Sequence, residues 1–530
     1  MNQAEIKRRQ TEAFADILSL VTIYVLGRLL GNTGITYVAV AAEVCAFFCI
    51  AIDGSVSDAL GRLLRGRKNK GQHKNMARMR AGSMIFQMIL GLAGSLALLL
   101  FAQRIGEKIF RIRYCSLIIM AFSPLVLLRT VASVLSGYFQ GEGSELPRAF
   151  AGIFRQIFLF GFGLLFGNIL QKYGEKVSGL LQQENFVPMY SGLGIALAAV
   201  LAELLVVFLL LFLYKISRRS GKRDRQEGYA TESYWDCIRH LCAGRWPQFI
   251  IGLLVCLPLV LGVLLTGKAD AADPQAIAEY GLYAGKYLVF CGVFVSLISI
   301  CVLPVTGKIF LHFRRNENRF AKTAFQCGVH ICMVYGIFFS VYVAFMGARI
   351  AGLLCPDNGE LMAKMLAGGS SVIAFVSLSL YFARLLQAAG KKYIILGAVG
   401  GSVVIYVITV MVMSRAGILA LVYGGMTASF VLCLILGIFS YQHMWVQADW
   451  LGALLVPLGA GVPAGLVCLL VNLLFASLLG DLPTLLIALV LSGAVYCGTL
   501  LLLRNIKEHE LESIYGGRFL GILGQKLRVY

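Results

Sequence analysis

The sequence predicts an all-α polytopic membrane protein, and three observations lead to this prediction. Of the 530 residues, 58% are hydrophobic and only 14% are charged, whereas a soluble protein carries roughly a quarter charged residues. The mean hydropathy is +0.79. Apolar stretches of about 20 residues, each long enough to cross a hydrocarbon core of about 30 Å, recur along the whole chain.

Fourteen of these stretches qualify as transmembrane helices. An even number places both termini on the same side of the membrane. The stretches cover about residues 11–30, 36–60, 82–102, 115–139, 149–170, 190–215, 247–266, 282–305, 327–347, 361–388, 393–413, 416–440, 451–477 and 483–504.

The distribution of Lys and Arg predicts which side the termini occupy. If the N-terminus is cytoplasmic, the inner loops and termini hold 32 Lys and Arg residues and the outer loops hold about nine. The loop 61–80 alone contains eight. Because cytoplasmic loops of membrane proteins are enriched in Lys and Arg, both termini are expected in the cytoplasm. The same loops are expected to contact anionic lipids of the membrane.

Composition and motifs exclude several other classes of protein. The net charge of +20 arises in short segments between apolar stretches, so nucleic-acid binding is not expected. The fourteen cysteines form no CxxC pair and the six histidines are isolated, so no metal site, cofactor or catalytic set is expected. We therefore expect a protein that is not an enzyme.

The longest polar interval divides the chain into two similar halves. Helices four and ten end in "YFQGEG" and "RLLQAAGKK", which aligns Gln140 with Gln387 at an offset of 247 residues. Two halves in the same orientation form a parallel repeat, as in some transporters. The expected division is a six-helix lobe over 1–215, a cytoplasmic linker over 216–246, a second six-helix lobe over 247–440, two additional helices over 441–504 and a cytoplasmic tail over 505–530.

The segment "GYFQGEGSELPRAF" at residues 137–150 is typical of a tight helix hairpin. Gly141 and Gly143 permit helix-ending backbone conformations, and Pro147 suits the first turn of the following helix. This structural interpretation accounts for most of the segment.

The same segment also resembles a known one. "LSGYFQGEGSELPRAFAGIFRQIF" is similar to the helix-four hairpin of the multidrug/oligosaccharidyl-lipid/polysaccharide exporter superfamily, in the branch of stage V sporulation protein B-type and MurJ-like lipid-linked precursor flippases. In that branch a "GYFQG" leads through a polar turn into a helix bearing a Gln and an Arg, here Arg155 and Gln156 in reversed order. "YVLGRLLGNTGITYVAVA" and "LLQAAGKKYIILG" resemble the family's first-helix ending and the end of its helix ten. Gln140, Gly141, Arg155 and Gln387 form the hairpin signature.

The resemblance implies an architecture and a function. The architecture is two six-helix lobes in a V around a central cavity, with two extra C-terminal helices that form a groove for a lipid tail. The function is translocation of a lipid-linked, polyprenyl-pyrophosphate cell-wall or polysaccharide precursor across the cytoplasmic membrane by alternating access. The implied partners are the lipid-linked glycan itself and cell-wall or polysaccharide synthases.

Ionisable residues inside the predicted spans are the candidate functional residues, because charges in a membrane tend to face a cavity or a partner. The cations assigned to substrate binding are Arg28, Arg129 and Lys286, since a guanidinium holds two diphosphate oxygens at once. An alternative role for Arg28 is snorkelling to the membrane interface. An alternative role for Arg129 is structural pairing with an acid. The intramembrane acids, assigned either to ion coupling or to charge pairing, are Glu43, Asp53 and Glu203.

One departure from the flippase pattern leaves the substrate open. The lipid II flippases carry a Leu-Pro-Asn-type break and paired arginines in helix two, where this chain reads "FFCIAIDGSVSDALGRL". The alternative function is a cation-coupled multidrug antiporter of the same superfamily, in which the acids would matter more than the arginines. A third is a non-transporting scaffold that recruits synthases through its basic loops.

Overall fold

The computed structural model describes residues 3–53, 56–112, 114–144, 146–183, 185–220, 231–243, 246–266, 274–315, 317–355, 358–447, 449, 451–475 and 480–505. The described residues form α-helices joined by short turns, and no strand occurs among them. The all-α fold class is confirmed. In chain order the helices are α1 (Gln3–Asp53), α2 (Val56–Asn69), α3 (His73–Gln103), α4 (Cys115–Glu142), α5 (Leu146–Leu181), α6 (Phe186–Ser220), α7 (Tyr234–Ala243), α8 (Trp246–Thr266), α9 (Pro274–Gly281), α10 (Leu288–Arg314), α11 (Asn318–Leu354), α12 (Gly359–Gly369), α13 (Val372–Ala388), α14 (Lys392–Val412), α15 (Leu419–Met444), α16 (Val456–Phe475) and α17 (Asp481–Leu502).

Most of these helices have the length and apolarity of membrane spans. Within the described ranges, eleven stretches are long and apolar enough to cross a membrane, or thirteen if two pairs of helices bent by more than 40° each count as one span. The two bent pairs are α7 with α8 and α12 with α13. The protein is therefore an integral membrane protein.

The first of these stretches contains the break between two expected spans. Ala13–Asn69 is 57 residues long, more than twice what a bilayer requires. Inside it Gly31 has φ 64° and ψ 176°, a conformation essentially limited to glycine. The chain therefore turns at Gly31. The 57-residue stretch thus contains two of the roughly fourteen predicted spans, one before and one after this glycine.

The chain forms two compact units, which are described separately. The N-terminal unit comprises Asn2–Gly285 and the C-terminal unit Lys286–Tyr530. The N-terminal unit thus includes α7, α8 and α9, and both α8 and α9 pack against α1. The division into lobes at residues 215 and 247 stays a prediction.

Each unit has its own apolar core. In the N-terminal unit a large cluster brings α2, α4, α6 and α7 together around Leu64, Tyr138, Leu210 and Leu241, all of them buried. In the C-terminal unit a smaller cluster around Ala460, Tyr496 and Leu500 joins the last two helices to α11. Tyr496 donates a hydrogen bond to the Val334 carbonyl at 3.0 Å, so α17 is an integrated part of the C-terminal unit.

Candidate functional site

Three charged side chains from three consecutive helices meet inside the N-terminal unit. Arg155 of α5 donates two hydrogen bonds to the Glu203 carboxylate of α6, from Nε at 2.5 Å and from Nη2 at 2.9 Å. Arg129 of α4 approaches the same carboxylate with its Nε at 3.4 Å. We call these three residues the ionic cluster. It joins Arg129, predicted to bind substrate or pair with an acid, and Glu203, predicted to couple an ion or pair with a charge, to Arg155 of the predicted hairpin signature.

The three members differ in exposure. The Glu203 side chain is 0% exposed, that of Arg155 is 28% exposed and that of Arg129 is 43% exposed. A buried carboxylate requires compensation, and the two-pronged contact from Arg155 supplies it. Arg129 lies midway along α4, and the described part of the chain shows no hydrogen bond from its terminal Nη atoms. The cluster therefore carries one more positive than negative charge and presents an available guanidinium fork.

The surroundings of Arg129 are polar on the side of α1. Asp53 and the thiols of Cys45 and Cys49 lie within electrostatic range of its guanidinium. Cys45 is fixed there because its thiol contacts the Phe122 carbonyl at 3.7 Å. Asp53, an intramembrane acid singled out from the sequence, is thus close to the ionic cluster.

Two residues of the hairpin signature, Gln140 and Gly141, pack against α2, and this corrects the role expected for Gly141. Gly141 lies within the last turn of α4 and not at the helix end, and a Cβ on it would overlap Leu64 of α2. A Cβ on Gly137, one turn earlier, would likewise overlap Ser57 of α2. Glycine is required at 141 because two helices approach there, and not because the chain turns.

Charged contacts reinforce this packing. Arg65 donates to the Gln140 carbonyl at 2.8 Å, and Lys68 donates to the Glu142 carboxylate at 2.8 Å. Arg148 of α5 donates to Asp58 of α2 at 2.8 Å. The turn between α4 and α5 is therefore held against α2 from both of its sides.

The helix end itself is at Gly143, as expected from the sequence. Its φ is 93°, its amide donates to the Gln140 carbonyl at 3.2 Å, and the Ser144 amide donates to the Phe139 carbonyl at 3.0 Å. These two bonds are the Schellman ending of a helix. Proline at 147 lies in the first turn of α5, which begins at Leu146.

The aligned turn of the C-terminal unit ends in the same way. Gly390 has φ 77°, its amide donates to the Gln387 carbonyl at 3.1 Å, and the Lys391 amide donates to the Leu386 carbonyl at 2.9 Å. The side chain of Gln387 is exposed. The pair of glycines aligned in the sequence thus occupies equivalent backbone positions in the two units.

Three other candidate residues lie apart from the ionic cluster. Arg28 is exposed and stacks over the Tyr24 ring at 4.6 Å. Glu43 accepts a hydrogen bond from the Tyr280 hydroxyl of α9 at 2.8 Å. Lys286, in the C-terminal unit, is buried and donates to the Leu354 carbonyl at the end of α11 at 3.0 Å. Their roles in binding or coupling stay predictions.

Sequence reasoning did not find the partner of Glu43. Tyr280 was an unremarkable aromatic residue next to a loop, and no spacing links it to residue 43. The contact exists because α9 packs closely on α1, where the Thr36 hydroxyl donates to the Ile277 carbonyl at 2.5 Å and a Cβ on Gly281 would overlap Thr36.

A second ion pair, which the sequence did not predict, lies in the C-terminal unit. Arg349 near the end of α11 donates from Nη1 to Asp481 at 2.7 Å and from Nε to Asn472 at 2.8 Å. Asn472 belongs to α16 and Asp481 begins α17. Arg349 therefore fixes the two additional helices to the rest of their unit.

A third contact fixes the residues before α7. Arg67 of α2 pairs with the Glu232 carboxylate, Asn75 accepts the Glu232 amide at 3.0 Å, and Arg78 donates to the Glu232 carbonyl at 2.9 Å. The hydrogen bond from Arg67 lowers the pKa of Glu232 below its usual range, against the opposing effect of partial burial. The end of the segment predicted to be a cytoplasmic linker is thus attached to α2 and α3 on both sides of their turn.

The described residues show no group of three or more His, Cys, Asp or Glu side chains placed to hold a metal ion. The available chemistry is that of guanidinium and carboxylate groups. Such a site can bind an anion through Arg129 or exchange ion pairs.

No protein-family model matches the chain. A curated relative, stage V sporulation protein B of Bacillus subtilis (strain 168), is 20% identical over 388 residues, which cover 72% of this chain and 70% of that protein. Among solved structures, the lipid II flippase MurJ in an inward closed conformation superimposes with a TM-score of 0.63 at 13% identity, over 94% of this chain and 96% of that chain.

Drug transporters of the same superfamily superimpose as well. An inward-facing multidrug resistance MATE family transporter gives a TM-score of 0.62 at 11% identity, over 82% of this chain and 94% of that chain. The eukaryotic MATE transporter AtDTX14 gives 0.60 at 14% identity, over 86% of this chain and 98% of that chain. The chain has the fold of the multidrug/oligosaccharidyl-lipid/polysaccharide exporter superfamily. The resemblance stated from the hairpin motifs is thereby confirmed, in sequence by the sporulation protein and in fold by both branches.

Proposed function

We propose that this membrane transporter is a flippase for a lipid-linked, polyprenyl-pyrophosphate precursor of the cell wall or of a polysaccharide. The observation that carries the proposal is the ionic cluster, in which Arg129 keeps an available guanidinium fork at the centre of a membrane-spanning helix. An exposed charge at that depth is costly unless it faces water or a polar partner. A fork of this geometry suits the oxygens of a diphosphate.

Glu203 positions this fork. Because the carboxylate contacts Arg129 at Nε, both Nη atoms remain to donate to a ligand. Because Arg155 satisfies the same carboxylate with two hydrogen bonds, Glu203 does not compete as a full counter-ion for Arg129. The three residues of the ionic cluster thus carry a net charge of +1, apart from the nearby Asp53, and this charge favours an anionic ligand.

The extent of the structural match supports the flippase branch. The MurJ superposition covers 94% of this chain, whereas the two MATE superpositions cover 82% and 86% of it. After α15 this chain continues into two further apolar helices, α16 and α17. A chain with these two helices therefore fits the MurJ architecture over a greater part of its length than it fits the MATE architecture.

In the proposed cycle, the pyrophosphate enters the N-terminal unit from the cytoplasmic side and is held by Arg129, while its lipid tail stays in the bilayer. Arg28, in the same unit, is a further cation for the headgroup. Alternating access then presents the headgroup on the other side. A headgroup with two negative charges moves across the membrane potential with about 2.3 kcal/mol per charge per 100 mV, so transport outward is expected to be voltage-dependent.

The proposal includes an orientation and partners. Both termini lie in the cytoplasm, because the basic segments 61–80 and 215–245 then face the anionic inner leaflet. The synthases that make or use the lipid-linked glycan are the proteins expected to associate with the flippase.

The test is a flipping assay with purified protein in liposomes. A fluorescent polyprenyl-pyrophosphate glycan is protected from an external quencher or enzyme only while it lies in the inner leaflet. We expect flipping by the wild type and its loss in Arg129→Gln. The matched control is Arg104→Gln, since Arg104 is also exposed but stacks on Phe101 in the turn after α3. Equal flipping by all three proteins, or by protein-free liposomes, contradicts the proposal.

The alternative, a cation-coupled multidrug antiporter, is favoured by Glu43. This intramembrane carboxylate is bound by the Tyr280 hydroxyl, and no described Lys or Arg pairs with it, as expected of an acid that takes up a cation. Transport of cationic drugs that depends on Glu43 and not on Arg129 would establish this function in place of the flippase.

A further inference from the structure

A cavity of about 50 Å³ lies at one end of the C-terminal unit. It is formed where the first half of α11 meets the end of α15, the chain before α16 and the chain after α17. A water molecule needs about 10–15 Å³ of such space, so the cavity has room for about three or four water-sized groups. It opens to the surface, because two of its lining residues are exposed, Gln326 and Asp449. The polar side chains that line it are those of Gln326, His330, Tyr441, Asp449 and Asn505.

The inner wall of the cavity is a histidine held in its neutral form. His330 is 7% exposed, and its Nε2 accepts a hydrogen bond from the side-chain nitrogen of Asn505 at 2.8 Å. A ring nitrogen that accepts carries no proton, so the imidazole is uncharged. Asn505 uses its amide nitrogen for this bond, and its amide oxygen is therefore the atom that can accept from a ligand.

The charge of the cavity comes from Asp449. No Lys or Arg is among the described residues that line it. Asp449 is fixed in place, because one oxygen of its carboxylate accepts the Gly452 amide at 2.9 Å and its backbone carbonyl accepts the Ala453 amide at 3.0 Å. A carboxylate has about four acceptor positions, so these bonds leave others for a ligand. The cavity therefore favours a cation over an anion.

We propose that this cavity binds a primary ammonium group. The three N–H donors of an ammonium match the acceptors that the lining offers, which are the Asp449 carboxylate and the amide oxygens of Gln326 and Asn505. The Tyr441 ring, which packs against Phe325 with ring centroids 5.1 Å apart, adds an aromatic surface of the kind that attracts organic cations. A metal ion suits the cavity less well, because the described residues contain no group of three or more His, Cys, Asp or Glu side chains placed to hold one.

Two kinds of molecule carry such a group, a free amine and a phospholipid with an ethanolamine headgroup. Trp445, one turn after Tyr441, is 84% exposed, and exposed tryptophans of membrane proteins lie at the level of the lipid headgroups. The following helix α16 exposes Leu458, Val462 and Leu466, as expected of a surface that contacts lipid chains. An ethanolamine headgroup ends in an ammonium and two methylenes, which the cavity has room to hold.

This site belongs to the C-terminal unit, whereas the ionic cluster belongs to the N-terminal unit. The inference therefore does not depend on which substrate the protein carries, and it can fail or succeed independently of the flippase proposal.

The test is a binding titration of the full-length protein, purified in detergent, with short-chain phosphatidylethanolamine, short-chain phosphatidylcholine and ethanolamine. Phosphatidylcholine carries the same charges, but its methylated nitrogen donates no hydrogen bond. We expect phosphatidylethanolamine to bind about tenfold more tightly than phosphatidylcholine.

The Asp449→Asn variant should weaken binding of phosphatidylethanolamine about tenfold, because it removes the charge that pairs with the ammonium. Asn is as good a capping residue as Asp, so the bond to the Gly452 amide can be kept. The matched control is Glu317→Gln at the start of α11, since the Glu317 carboxylate bonds to His312 at 2.6 Å and does not line the cavity. Its binding should equal that of the wild type.

The ethanolamine titration distinguishes the two sources. Binding of ethanolamine as tight as that of the phospholipid assigns the site to free amines, and binding of the phospholipid alone assigns it to a lipid. Three outcomes overturn the proposal: neither ammonium compound binds, the two phospholipids bind equally, or Asp449→Asn binds as well as the wild type. If the melting temperature shows that Asp449→Asn does not fold, Gln326→Leu at an exposed position of α11 takes its place, with an expected loss of several-fold in affinity.

Discussion

The two units of the chain end a helix in the same way but differ in the contacts that their cations make. Gly143 and Gly390, 247 residues apart, close the same pair of backbone hydrogen bonds. In the N-terminal unit the guanidinium of Arg129 contacts Glu203 through Nε, and its Nη atoms make no hydrogen bond to the described residues. In the C-terminal unit Lys286 is bound to a helix-end carbonyl and Arg349 to two side chains. A shared backbone pattern therefore does not imply a shared role for the charges around it.

The difference indicates that the cations of the two units have different roles. The C-terminal cations stabilise helix ends and attach the two additional helices. The ionic cluster of the N-terminal unit contains more positive charge than it neutralises, which is the condition for binding an anion. Substitutions in the two units should therefore separate effects on stability from effects on transport.

The two units should differ most in the stability that each loses when the acid of its ion pair is removed. Glu203→Leu removes a fully buried carboxylate and leaves the 28% exposed Arg155 without its partner. Loss of one partner of a buried pair costs about 3–5 kcal/mol, and the partial exposure of Arg155 places the expected cost near the lower end, about 3 kcal/mol. Asp481→Leu should cost about 1 kcal/mol or less, because the Asp481 side chain is 41% exposed and exposed pairs contribute little. Thermal unfolding in detergent measures both. Equal costs would mean that the two ion pairs are equivalent.

The next effect concerns ligand affinity. Arg129→Gln keeps one amide donor and so loses about one hydrogen bond to a charged ligand, worth about 1.5–3 kcal/mol; binding of a polyprenyl-pyrophosphate should therefore weaken about 10- to 100-fold. Arg349→Gln should lower thermal stability and leave affinity unchanged. Titration of both purified variants with the same lipid separates the two roles, and a loss of affinity in Arg349→Gln would place the C-terminal cation in the site as well.

A smaller effect tests the two hairpins. Gly143→Ala and Gly390→Ala should destabilise by the same amount, about 1–2 kcal/mol, because both residues adopt the left-handed conformation. Gly141→Ala should cost about 1–3 kcal/mol through overlap with Leu64. At the aligned position of the C-terminal unit the chain already has Ala388, which is exposed. Unfolding in urea or by heat gives the three values, and a neutral Gly141→Ala would show that α2 does not pack as described.

The smallest expected effect is the loss of folding stability when Glu232 is replaced. Its pKa is lowered because Arg67 donates a hydrogen bond to the carboxylate, so the ionised form stabilises the folded state at neutral pH. This contribution is present above the ordinary pKa of 4.5 and is lost as the pH falls through the lowered value. Glu232→Gln should therefore cost about 0.2–1 kcal/mol at pH 7 and nothing in strong acid. A pH-independent difference between the two proteins would exclude an ionic role.

The sequence alone predicted the features that depend on composition and on short motifs. Apolar length predicted the spans, and glycine and proline predicted the turn at Gly143 and the start of α5. The motifs of that turn and of Gln387 led to the superfamily. The role of Gly141 was wrong, because in the sequence a glycine that permits close packing looks the same as one that ends a helix.

The assembly of the ionic cluster could not be predicted in the same way. Arg129, Arg155 and Glu203 are separated by 26 and 48 residues, and only the packing of α4, α5 and α6 decides which acid meets which base. Tyr280 was not found, because a tyrosine does not signal a site until its surroundings are known. The sequence therefore identified the charges inside the membrane but not their partners.

Binding of the headgroup of a lipid-linked precursor by Arg129 can be measured by native mass spectrometry. The wild type, Arg129→Gln and Arg349→Gln are purified in a gentle detergent and compared. We expect a co-purifying polyprenyl-pyrophosphate glycan in the wild type and in Arg349→Gln, and its loss in Arg129→Gln. The absence of such a lipid from the wild type, or its equal retention by Arg129→Gln, would contradict the claim.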